Sequence, residues 1–157
     1  MDFILQHGGL VLGVLGMSLA VIIPGIASGK GVGMIGEAAA GIIIEEPQKF
    51  GKSLLLQMMA ASQGLYGFVI AILVLGRLSV DMSIQEGLYI LVACLPIAIV
   101  GGPTAIYQAR VAISGLTVLS KNESQSTKSV IYAVMVETYP LLAFVISLII
   151  LNQAVGF

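Results

Sequence analysis

Four long apolar stretches separated by short polar clusters organise this chain. The charge-free runs cover 3–29, 53–76, 87–109 and 129–157, the last interrupted only by Glu137. A helix needs about 20 apolar residues to cross a hydrocarbon core, and each run supplies them. The pattern therefore predicts an all-α membrane protein with four transmembrane helices. The first and third runs continue a small, apolar pattern past Lys30 and Arg110, as GVGMIGEAAAGIII and VAISGLTVLS, so these helices are expected to extend beyond the hydrocarbon. Turn chemistry falls at Glu45-Glu46-Pro47-Gln48, at 79–83 and at Lys121-Asn122-Glu123-Ser124. The expected architecture is two helical hairpins in series, 1–78 and 79–157, the second carrying Glu137.

Composition agrees with that class. With 58% hydrophobic and 10% charged residues in a chain of 157, there is more apolar surface than one soluble core of this size can bury. A lipid bilayer is the expected surrounding. The formal net charge of -1 offers no basic face for nucleic acid. Cys94 is the single cysteine and lies in an apolar run, so it reads as a small core residue with no disulfide partner in the chain. The N-terminus MDFILQHGG has an acidic residue and no basic region, so the first apolar segment is expected to be a retained helix rather than a cleaved signal.

Cations set the expected orientation. Lys49 and Lys52 flank the first turn and Lys121 and Lys128 the third, whereas the middle connection has Arg77 beside Asp81 and Glu86. The positive-inside tendency then places turns one and three in the cytoplasm and both termini outside, in a multi-pass protein of the cell membrane. Lys30 and Arg110, counted back from the turns, lie nearly as deep as Glu137. They are expected to snorkel, pair or face a cavity that is not hydrocarbon.

The hairpins resemble each other. GFVIAIL at 67–73 matches AFVISLI at 143–149, and IASGK at 26–30 matches IYQAR at 106–110. The first of these registers sets Glu137 opposite Ala61 and Thr138 opposite Ser62. Only the second repeat keeps a carboxylate, so one ion site per chain is expected. Gly9, Gly13 and Gly16, then Gly25, Gly29 and Gly33, recur at three- and four-residue spacings that let helix backbones approach closely. A weaker stripe of Gly101, Ala105, Ala109 and Ala112 in the third helix suits a tightly packed inner layer.

The candidate chemistry centres on Glu137. Insertion scales put an acidic residue at a membrane helix centre at roughly 2.5 to 3.5 kcal/mol, so it should face protein, a partner or an ion path rather than lipid. Gln108 and Glu137 stand equally far from the third turn, about 22 Å at 1.5 Å per residue. Ser62 and Gln63, counted from Pro47, reach a similar depth. Any one of these polar groups alone reads as interhelical hydrogen-bond glue. Together they offer what a hard alkali cation needs, several oxygens to replace its hydration shell, whereas a proton needs only the carboxylate. A main-chain carbonyl near Met59 completes the set if the helix loosens there. Tyr66, one turn after Ser62 on the same face, is placed to hydrogen-bond Glu137, and Pro140 frees the carbonyl of Val136 beside it.

SQGLYGFVIAIL at 62–73, Gln108 within IYQARVAISG, and MVETYPLLAFVIS at 135–147 strongly resemble the proteolipid rotor-ring component, known as c or K, of bacterial V-type sodium ATPases. The resemblance spans essentially the whole chain. It implies a closed ring of about ten identical copies, with helices one and three inside and helices two and four outside. Each copy would carry one Na+ past a membrane stator subunit bearing a basic residue, while ATP hydrolysis in the soluble sector turns the ring through a central-stalk subunit at the cytoplasmic turns. The sodium ligands it implies are Ser62, Gln63, Gln108, Glu137 and the Met59 carbonyl, with Tyr66 in support. It implies neither an organic cofactor nor an active site in the chain itself. Relatives often have Pro-Gly where this chain has Ala60-Ala61, which removes the usual sequence reason for a backbone break at that point. They also commonly lack a proline at the position of Pro140.

Other readings are a proton-carrying ring of the same machine and a small four-helix cation or drug exporter. An exporter would normally want aromatic residues around an organic cation, and this chain has no Trp. A pore-forming structural protein would explain the glycine stripe but not the converging oxygens. An enzyme is least expected, with no nucleotide-binding loop, no cluster of His and Cys, and only His7 near one end.

Overall fold

Apolar runs this long, with no partner strands to bond, satisfy their backbone groups internally, and helices result. The structure, a computed structural model, describes residues 2–153, with side chains from residue 6 onward. Helix α1 (Asp2–Glu45) is followed by a 3-10 turn at Pro47–Lys49, then by α2 (Phe50–Met59) and α3 (Ser62–Leu75). A connection at 76–83 leads to α4 (Ile84–Lys121), a second 3-10 turn at Glu123–Gln125 and α5 (Ser126–Asn152). Three helices are long and apolar enough to cross a membrane, and α2 with α3 makes a fourth candidate span bent by 46°. All three turns lie where the polar clusters predict them.

Local chemistry fixes the ends. Ser83 starts α4 with a capping box: its hydroxyl accepts from the Glu86 N–H at 3.2 Å, and the Glu86 carboxylate accepts from the Ser83 N–H at 2.7 Å. At the two 3-10 turns, Lys52 pairs with Glu123 at 2.8 Å. Lys49, only 4% exposed, pairs with Glu46 and donates to the Ser120 carbonyl at 3.2 Å. At the opposite end Tyr89 donates to the Ile150 carbonyl at 2.6 Å and Arg77 to Asn152 at 2.9 Å. Both ends of the two hairpins are therefore tied together.

Helix α1 packs most extensively on α4, next come α4 on α5 and α1 on α3. The two long helices form the most extensively packed pair, in keeping with their small residues. Pro24 cannot donate to the Ala20 carbonyl, and α3 closes on that spot: a Cβ at Gly67 would run into the Ala20 oxygen. The glycine stripe of α1 divides in two. Gly9, Gly13 and Gly16 lie against residues of the middle connection and α4, whereas Gly25, Gly29 and Gly33 have no heavy atom of another element near where a Cβ would stand.

Two apolar clusters fill the interior, one around Ala20, Ile70 and Ile97 toward the termini and one around Ile35, Leu56 and Leu116 toward the 3-10 turns. Cys94 is buried in the first. The polar level falls between them along α3 and α4. Lys30 on α1 and Arg110 on α4 are exposed and make no ion pair among the described residues.

Candidate ion-binding site

The α2–α3 pair breaks at Ala60-Ala61 despite lacking proline or glycine there. Ala60 and Ala61 leave the helical ladder, and α3 restarts at Ser62. The break delivers three groups to one spot: the Met59 carbonyl, the Ser62 hydroxyl and the Gln63 amide. Ser62 Oγ stands 3.1 Å from the Met59 oxygen and 2.7 Å from Glu137 Oε2. With a single proton, that hydroxyl donates to one of them at a time and keeps lone pairs to offer.

Gln108 enters from α4 and is fully buried, as is Gln63. Its Nε2 donates to the Ala133 carbonyl of α5 at 3.1 Å, and since a carbonyl can only accept, this bond turns Oε1 of Gln108 inward. Gln63 Nε2 donates to that Oε1 and to Glu137 Oε2, the latter at 3.2 Å. All four side chains that the sequence brought to one depth thus meet, with the Met59 carbonyl beside them.

Two oxygens in this cluster are buried without a hydrogen-bond donor, Gln63 Oε1 and Glu137 Oε1. Buried acceptors are ordinarily satisfied, and here neither has a donor while no Lys or Arg pairs with the carboxylate. A desolvated cation ligated by oxygens would satisfy both. The donor atoms are all oxygens, one of them from a carboxylate, a set that suits a hard cation better than a soft transition metal. Tyr66 stands within hydrogen-bonding reach of Glu137, as its place one turn after Ser62 predicts, and it stacks on Phe144 with ring centroids 5.0 Å apart. Helix α5 stays continuous through the buried Pro140.

Two contributors escaped the sequence reading. The Ala133 carbonyl orients Gln108, and nothing in the residue type announces it. Ser28 on α1 accepts from the Gly64 N–H at 2.9 Å, and here a signal existed: the match of IASGK to IYQAR sets Ser28 opposite Gln108.

Long apolar helices that gather one carboxylate and several neutral oxygens at a single level have the arrangement expected of a membrane carrier of small cations. The chain belongs to the ATP synthase C-subunit family, whose model matches residues 15–74 and again 91–150. It is 51% identical over 154 residues to the V-type sodium ATPase subunit K of Enterococcus hirae, covering 97% of this chain and 99% of that one. It is 34% identical over 142 residues to the A-type ATP synthase subunit K of Methanocaldococcus jannaschii, covering 90% of this chain and 62% of the relative. A 69-residue stretch is 33% identical to the c-subunit of the V-type proton ATPase of Candida tropicalis, 44% of this chain and 43% of that one.

Proposed function

We propose that this chain is the ion-carrying rotor-ring subunit of a V-type ATPase that moves Na+ across the membrane, driven by ATP hydrolysis in the soluble sector. The observation that carries the reading is the pair of donorless buried oxygens, Gln63 Oε1 and Glu137 Oε1, beside a carboxylate with no cationic side chain. Sodium would be held by Glu137, Gln108, Gln63, Ser62 and the Met59 carbonyl, one ion per chain. The near full-length similarity to a sodium ATPase subunit K supports the choice of ion.

The chemistry is electrostatic. A carboxylate can pass through lipid only with its charge cancelled, which the bound ion does. At a stator subunit a basic side chain would take over that role and release the ion to an aqueous path. Ser62 and Gln63 keep Glu137 facing inward while the ion is aboard, and Gln108, anchored on Ala133, excludes water from the rear of the site.

Several features of the assembly belong to the same proposal. Identical copies, about ten, close into a ring with α1 and α4 inside and α2, α3 and α5 outside. The outward glycines of α1 and the exposed apolar residues of α3 and α5, such as Leu65, Phe68 and Met135, support a chain that meets copies and lipid on several sides. The hairpins 1–78 and 79–157 are duplicated units, supported by the double match to the family model. The 3-10 turns with Lys49, Lys52, Lys121 and Lys128 face the cytoplasm and a central-stalk subunit, and both termini lie outside.

The test is modification of Glu137 by a carboxyl-reactive carbodiimide, which attacks the protonated acid. Labelling should be fast without sodium and slow with it. Labelling indifferent to sodium at neutral and alkaline pH would make this a proton ring, with the amides serving as hydrogen-bond support.

A further inference from the structure

We propose that Ser28 is a positioning residue for the cation site: from α1 it caps the broken end of α3 and so holds the ligand pair Ser62 and Gln63 in register. The inference rests on the sodium-carrying reading above. A helix start leaves its first N–H groups without intrahelical acceptors, and at membrane depth no water replaces them. The residue at the start of α3 is Ala61, which has no side-chain acceptor, and no side-chain cap comes from it. Gly64 is the third residue of that helix, the one a capping hydroxyl ordinarily serves. Its N–H is met instead by Ser28 Oγ at 2.9 Å, across the α1–α3 contact.

The contact is built closely. A Cβ at Gly64 would stand 3.2 Å from Ser28 Cβ and 3.3 Å from its Oγ, so glycine is what lets the serine reach the backbone. Ser28 is 5% exposed and sits in an unbroken helix, one turn beyond Pro24, whose ring lies against Gly67, the next residue of α3 on that face. Helix α1 thus braces the first two turns of α3, at Gly64 and at Gly67. The two residues immediately before Gly64 supply a hydroxyl and an amide donor to Glu137. In the repeat register Ser28 occupies the place of Gln108, so one position serves the site through its own amide in the second hairpin and through a neighbour's backbone in the first.

The experiment measures, in membranes containing the whole ATPase, the sodium concentration that half-protects Glu137 from carbodiimide. Ser28→Ala should raise that concentration about 3- to 10-fold, the range set by loss of a helix cap. Labelling without sodium should persist, since Glu137 itself is retained. Ser28→Thr, which keeps an acceptor, should return the midpoint toward wild type. A Ser28→Ala midpoint equal to wild type overturns the role, as does a Ser28→Thr shift as large as that of alanine. Where bulk or lost packing impairs assembly, the isosteric pair Ser28→Thr and Ser28→Val decides on the rings that do form. A higher midpoint for valine is expected, and equal midpoints overturn the proposal. Absence of sodium protection in the wild type would instead strike the sodium reading, which separates the two failures.

Discussion

Ser62 Oγ lies 2.7 Å from Glu137 Oε2, so the carboxylate takes its hydroxyl donor from the first residue after the α2–α3 break and its amide donor from the second. The arrangement is built for an acceptor. Glu137→Gln should therefore abolish ATP-driven sodium transport, because the amide keeps the shape but cannot alternate between ion-bound and stator-facing charged states. Ala61→Glu in that background should not restore transport, since Ala61 lacks a matching shell of Gln and Ser. Transport at the wild-type rate by the single variant would end the rotor reading.

Gln108→Leu should raise the sodium concentration for half-protection by about tenfold or more, as a bond to a charged group contributes roughly 1.5 to 3 kcal/mol and tenfold is about 1.4. The reason is double: an oxygen facing the cation is lost, and the Gln63 amide loses the acceptor that orients it. Carbodiimide labelling without sodium should persist. A variant that keeps wild-type protection would remove Gln108 from the ligand set.

Much of this was legible because polar groups at membrane depth stand out against hydrocarbon. Glu137, Gln108, Gln63 and Ser62 were found by counting from turns, and the turns announced themselves through Pro47, Ser83 and Asn122. The break at Ala60-Ala61 was legible only as a condition on the Met59 carbonyl, since neither residue disrupts a helix. Its support is tertiary, from Ser28 on another helix and from the close approach of Gly67 to Ala20. The stripe of α1 shows the same limit. Identical spacing covers glycines that meet the chain's own elements and glycines that look outward, and only packing separates them.

The outward set gives a prediction. A Cβ at Gly25, Gly29 or Gly33 meets no atom within 4 Å, so the folded hairpins should survive Gly25→Leu, Gly29→Leu or Gly33→Leu. If these glycines lie where copies touch, the added side chain overpacks that seam at about 1 to 3 kcal/mol per copy, and rings in mild detergent should fall apart to smaller species. Intact rings from all three variants would place that face toward the lumen or lipid instead.

The two lysines at the 3-10 turns should behave differently. Lys52–Glu123 is solvent-exposed, with side chains 52% and 42% accessible, and pairs of that kind contribute about 0 to 1 kcal/mol. Lys52→Ala should leave thermal stability nearly unchanged. Lys49 is buried against Glu46 and the Ser120 carbonyl, so Lys49→Ala leaves an unmatched carbonyl and lost packing, at about 1 to 3 kcal/mol. Equal melting temperatures for the two variants would contradict the geometry.

On the proposed reading sodium and a proton compete for the same carboxylate, and that competition fixes the pH dependence of protection. Where the free site is ionised, sodium binds without displacing anything, and the half-protection concentration should be flat with pH. Where the free site is protonated, each ion must expel one proton, so the concentration should rise about tenfold for every unit that pH falls, one proton against one ion. The sign follows from linkage: acid favours the protonated, reagent-sensitive form and sodium opposes it. Gln63 and Gln108, as neutral ligands, should alter the level of the flat region and not the slope, so Gln63→Leu should displace the whole curve upward. A half-protection concentration indifferent to pH across both ranges would mean that sodium acts somewhere other than at Glu137, and a slope well above tenfold per unit would mean that more than one proton leaves with each ion.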